Sequence, residues 1–167
     1  LSSTEAYKGE AIRASLVLYT RVSIDNIESL TMPPFDGFWS QQLEFENSPS
    51  REEYNGKIYE TYKINELLLS PQQSGTIVIP EVQMDVRAQV IVQDSQRYDP
   101  FFGGRQVYHV TRNLKSAPVS INVKEFPAGA PASFQGAVGS FSLTCDMPET
   151  ELVANTSDRL ELTITGN

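Results

Sequence analysis

The sequence holds one histidine, His109, and one cysteine, Cys145, the two side chain types that titrate nearest neutral pH and most often ligate zinc. An acyl-transfer triad needs a nucleophile, a base and an orienting group, and protein zinc sites draw on several His or Cys ligands. His109 and Cys145 are 36 positions apart, each inside a strand-like run, and do not assemble either pattern. His109 lies within Val107 to Thr111 and reads as structural. Cys145 stands in the series Phe141, Leu143, Cys145, Met147, apolar at every second position, which reads as a buried thiol behaving as a small hydrophobe. A single cysteine forms no internal disulfide, so cysteine usage leaves the redox compartment open.

Carboxylates are numerous, and a glycosidase-like pair would need two of them about 5 to 10 Å apart across a cleft. The densest groups, Glu52-Glu53 and Glu149 with Glu151, sit beside turns and on polar faces and read as solvated charge. Asp94 and Asp99 match no twelve-residue calcium loop. Gly103-Gly104 is a turn rather than part of a phosphate loop, and Asn155-Thr156-Ser157 satisfies the N-glycosylation pattern. These readings predict no enzyme active site, no cofactor and no metal.

Two aromatic groups remain, Pro33 to Trp39 and Tyr98 to Gly104. Trp39 and Phe38 are expected to enter the core at the start of a strand. Aromatics at a loop tip are costly to expose unless they fold back or meet a partner. Tyr98, Phe101 and Phe102, with Trp39, are therefore the candidate partner-binding residues; as a stacking platform, Trp39, Tyr98 and Phe101 would instead suit a glycan or peptide.

The elements that carry these residues follow a period of two. Val82, Met84, Val86, Ala88, Val90 and Val92 alternate with polar residues, the pattern of a long half-buried strand. Shorter alternations cover Ile12 to Leu18, Leu43 to Phe45 and Val119 to Val123. Residues 57–69 mix strand and helical spacing; their Ile, Tyr and Thr content, and Asn55-Gly56 ahead of them as a type I′ turn, favour a strand. Thr76 to Ile79 is a short strand stopped by Pro80, and a return strand is predicted over 105–113. The reading is an all-β chain: an immunoglobulin-like antiparallel β-sandwich over 1–125 and a Pro/Ala/Gly linker over 126–133. Strands near 138–147 and 159–165 would then open a second, incomplete sandwich over 134–167.

Thirteen basic against twenty-one acidic residues give a net charge of −8, a field that repels nucleic acid. No apolar run approaches the roughly 20 residues of a membrane span, so the fragment is expected to be soluble. Both ends look cut, and an export signal or a membrane anchor is expected outside this stretch.

With these residues laid out, the chain resembles the oxygen-tolerance (Bacteroides aerotolerance, BatD) family of bacterial envelope proteins. The resemblance rests on Tyr7-Lys8-Gly9-Glu10 before the strand ending Leu18-Tyr19-Thr20-Arg21, on Phe35-Asp36-Gly37-Phe38-Trp39, and on Leu69-Ser70-Pro71 through Ile79-Pro80. It continues through Asp99-Pro100-Phe101-Phe102-Gly103-Gly104 and the run Pro127 to Gly139. The resemblance implies an exported protein of tandem immunoglobulin-like domains, facing the periplasm and held by a C-terminal membrane helix. It also implies other Bat proteins as partners, carrying von Willebrand A domains or tetratricopeptide repeats, with a MoxR-type ATPase usually associated. It implies no catalytic residues.

Overall fold

A computed structural model describes residues 1–93, 105–146, 154, 157 and 159–166. All regular structure among them is β-strand, in several mainly antiparallel sheets.

The spine is β6 (Lys57–Pro71), fifteen residues long. It pairs along one edge with β2 (Ile12–Thr20), and along the other with β4 (Phe38–Gln42) and then β5 (Ser50–Tyr54). Asn55 and Gly56 join β5 to β6 with φ of 51° and 71°, both positive as a type I′ turn requires. The mixed periodicity of 57–69 also has a cause: Leu16 faces Asn65 and Val17 faces Lys63, leaving Ile64 as an extra residue in a β-bulge. The bulge shifts the alternation by one. Leu67 and Leu69 point inward on one side of it, Ile64 and Tyr62 on the other.

The expected strand over Leu43 to Phe45 does not form. The ladder between β4 and β6 ends at Gln42↔Leu67, where the Leu43 N–H donates to the Glu66 carbonyl at 2.9 Å. Past that bond residues 43–49 run irregularly until β5 takes up the edge at Ser50↔Thr61.

The facing side is built on one long antiparallel ribbon. β7 (Gly75–Ile79) leads into β8 (Gln83–Gln93), and β9 (Arg105–Lys115) leads into β10 (Val119–Lys124). Ile79 faces Val119 and Gln83 faces Lys115, so one register runs through both halves and sets Pro80 opposite Pro118. Two residues without an N–H cannot close a ladder, and the sheet breaks there. The bonds from Val82 N–H to Ser116 Oγ (3.0 Å) and from Ser116 N–H to the Val82 carbonyl (2.9 Å), with Lys115 Nζ donating to Glu81 Oε1 at 2.7 Å, hold the gap. Beyond the break each half recruits a different third strand. β1 (Glu5–Tyr7) adds in parallel to β10, and β3 (Ile24–Thr31) adds antiparallel to β8.

The core divides at the same level. Ile12, Leu69, Ile77 and Ile121 lie in a cluster under β1, β7 and β10, whereas Leu18, Met84 and Val86 lie in a smaller one under β3 and β8. Of the predicted inner face of β8, Met84, Val86 and Ala88 are buried. Val92 is 46% exposed, because β8 and β9 run on past the second cluster.

Residues 126–139 contain no strand, yet they fold on themselves: the Phe126 and Phe134 rings meet edge to face at 5.3 Å, and the Phe134 N–H donates to the Pro131 carbonyl at 2.9 Å. Beyond them, β11 (Phe141–Asp146) and β12 (Glu161–Gly166) pair as a ribbon in which every residue is exposed. The expected burial of Cys145 is therefore corrected. Its side of the ribbon carries Phe141, Leu143, Leu162 and Ile164, but that side stays exposed, so apolar alternation here does not mean burial.

Leu69→Ala, at a site with no exposure, should lower unfolding free energy by about 2 to 5 kcal/mol in denaturant titrations. Leu162→Ala on the open ribbon should change it by less than about 0.5 kcal/mol. Cys145 should react with a thiol reagent in the native chain about as fast as in the denatured chain, and a strongly slowed native reaction would contradict its exposure.

Candidate partner-binding groove

The sheet β2–β6–β4 ends at β2, and the sheet β3–β8–β9 ends at β9. Between these two edges lies a groove of about 640 Å³. Leu16 and Leu18 form its wall on β2; Met84 and Leu114, with Val82 at the ribbon break, form the other. A smaller cavity of about 180 Å³ continues it under the break, sharing Leu16, Val82 and Ser116. Leu18 and Met84 of the second core cluster line it directly.

Its rim is partly backbone. The Ser2 N–H donates to the Arg13 carbonyl at 2.8 Å, and the Arg13 N–H donates to Ser2 Oγ at 3.0 Å, so the backbone groups of Arg13 face away from β6. Backbone direction alternates along a strand, so Ser15, Val17 and Tyr19 present theirs to the same edge. That stretch has no ladder partner on this edge among the described residues.

At the outer lip, three tyrosines from three strands touch. Tyr19 lies 5.8 Å from Tyr54 and 6.1 Å from Tyr59, centroid to centroid, and Tyr54 lies 6.4 Å from Tyr59. Tyr19 Oη donates to Glu52 Oε2 at 2.6 Å. That hydrogen bond, then burial and the carboxylate charge, raise the Tyr19 phenol above the ordinary tyrosine value.

The outer face of β3, β8 and β9 carries His109. Its Nδ1 lies 2.6 Å from Asp25 Oδ2, and Gln89 Nε2 donates to the other carboxylate oxygen at 2.6 Å. Two rows along the same face, Asp85 accepts from Ser29 Oγ at 2.7 Å and from Asn113 Nδ2 at 2.8 Å. Each carboxylate ties the three strands together across β8. Among the described residues no hydroxyl or thiol is hydrogen-bonded to His109, and no three His, Cys, Asp or Glu side chains converge as a metal ion requires.

Of the residues singled out from the sequence, Trp39 sits on β4 opposite Ser70 and is 53% exposed. Phe38 packs against the first core cluster. The expectation that both enter the core is corrected: successive strand residues point to opposite faces, so one of the two must point outward. Tyr98, Phe101 and Phe102 lie outside the described residues, as do Asp94, Asp99, Glu149 and Glu151. The strands that lead to residues 94–104 are apolar and exposed, Ile91 at 65% and Val107 at 53%. No sequence signal marked the groove or its tyrosines, which come from β2, β5 and β6. Comparison with protein-family models, with curated proteins and with solved structures finds no match.

Asp25 is held below the ordinary aspartate value by its hydrogen bonds from His109 and Gln89, and Asp85 by those from Ser29 and Asn113. A carboxyl depressed in the folded state contributes stability above its unfolded pKa, about 3.9, that is lost as pH falls through the folded value. The double variant Asp25→Asn/Asp85→Asn should therefore lose less Tm than the unmodified chain on acidification below about pH 4. Thermal melts across that range check this, and equal acid slopes would count against it.

Proposed function

We propose that this chain is a non-enzymatic protein-interaction module, a periplasmic scaffold within a Bat-type aerotolerance complex. The observation that carries the interaction reading is the apolar groove left between two sheet edges. A half-open apolar groove bordered by unpaired backbone is costly to leave wet and fits a polypeptide partner. The architecture behind this reading is an immunoglobulin-like sandwich over 1–125. Two layers of strands enclosing the core clusters, one of them broken into two sheets, and a first strand running parallel to the last strand of that unit, support it. The one-sided apolar face of β11–β12 supports a second sandwich beginning after the 126–133 linker.

On this reading the full-length protein is exported, anchored in a bacterial membrane and docked to Bat subunits with von Willebrand A or tetratricopeptide-repeat domains. Affinity capture of the full-length protein from its native envelope should recover such a subunit. Deleting Tyr98 to Phe102 should weaken capture while leaving the melting temperature within a few degrees. Undiminished capture by the deletion variant would remove that segment from the interface.

The exposure of Trp39 supports a second reading, a glycan- or peptide-binding domain of the envelope in which Trp39 stacks on the ligand. The three tyrosines do not extend such a platform, because their planes are tilted by 52° to 73° from one another. Retention of an oligosaccharide by the unmodified chain and its loss in Trp39→Ala would favour that reading; no retention by the unmodified chain would remove it.

A further inference from the structure

We infer that the groove between β2 and β9 takes an extended strand from another polypeptide, added along the free edge of β2 with apolar side chains at alternate positions. This deepens the interaction reading and rests on it.

The two edges differ in how they are protected. Among its described side chains β9 carries Arg112 and Lys115 and no acidic residue, and charged side chains are a common way to keep an exposed edge from pairing. β2 carries no charge, proline or glycine from Ala14 to Thr20, and the bulge beside it belongs to β6. The edge that borders the groove with unpaired backbone is therefore the unprotected one. Its lower end is already engaged, where Ser2 bonds to the Arg13 backbone. The upper end, Ser15 to Tyr19, continues that line with no backbone partner on this edge among the described residues.

The groups on offer select a strand over a small ligand. Ser15, Val17 and Tyr19 present donor and acceptor pairs every second residue, a spacing of about 7 Å that another strand's backbone reproduces. Every second side chain of the added strand would fall between Leu16 and Leu18 on one wall and Met84 and Leu114 on the other. The intervening side chains would lie on the outer face beside Tyr19. The occupant is not a second copy of this chain. Pairing β2 with β2 about a two-fold axis would set the β9 edges, with Arg112 and Lys115, toward each other.

The test uses a short synthetic peptide of alternating valine and threonine, capped by lysines, and amide exchange read residue by residue by NMR on residues 1–167. In the free chain the Val17 and Tyr19 amides should exchange quickly; with peptide they should slow by at least about tenfold. Val17→Pro removes an N–H that faces the groove rather than β6, so it should weaken peptide binding at least about tenfold while the chain still melts cooperatively. The exchange measurement on the unmodified chain decides alone if that variant does not fold. No slowing at Val17 and Tyr19 overturns the inference, as does protection that appears without peptide and grows with protein concentration, the signature of a second copy. Envelope capture of a subunit that survives Val17→Pro also overturns it and leaves the interaction reading standing. Failure of the unmodified protein to capture any subunit sinks that reading itself.

Discussion

The facing prolines Pro80 and Pro118 set the terms for the rest of the molecule. A two-stranded ribbon of this length would otherwise twist continuously and cover the β2–β6 sheet as one layer. Removing two N–H donors at one level breaks the ladder while keeping its register, so each half of the ribbon is free to take its own third strand. β1 joins below and β3 joins above, on opposite sides. The bulge at Ile64 answers the break from the other sheet. It lets β6 serve two clusters whose inward faces are out of phase by one residue. Without it, the residues that face Met84 and Val86 would be Lys63 and Thr61 instead of Ile64 and Tyr62.

The same break leaves the packing incomplete. The lower cluster holds fully buried side chains such as Ile12, Leu69 and Ile121, each contributing about 1.5 to 3 kcal/mol by removal from water. The upper cluster has three buried members and opens sideways into the groove. Polar ties stand in for core on its outer face, where Asp25 and Asp85 bridge β3, β8 and β9. A strand added to β2 would complete the upper layer, so stability and partner binding meet at one place.

Much of this was legible from residue order. Asn55-Gly56 specified its hairpin because both positions need positive φ and few other residue pairs supply it. Pro80 marked a strand end because proline has no donor. The mixed pattern of 57–69 was ambiguous for a physical reason: a bulge adds one residue, and an alternation broken by one imitates helical spacing over a short window. Cys145 and Trp39 were misjudged for opposite reasons. The face that carries Cys145 meets no second layer, whereas Trp39 neighbours a residue that does enter the core, and strand geometry allows one of the two inside.

By itself the sequence determined that this chain is all-β in class, where the Asn55-Gly56 hairpin turn lies, and that it holds a single histidine and a single cysteine. These are local properties, set by periodicity, by the φ preferences of Asn and Gly, and by counting. Which edges stay open was decided only by tertiary structure. Tyr19, Tyr54 and Tyr59, or Leu16 and Leu114, become neighbours because of how two sheets stack and where both are interrupted. A free edge is a relation between strands distant in sequence, and no window of residues encodes it.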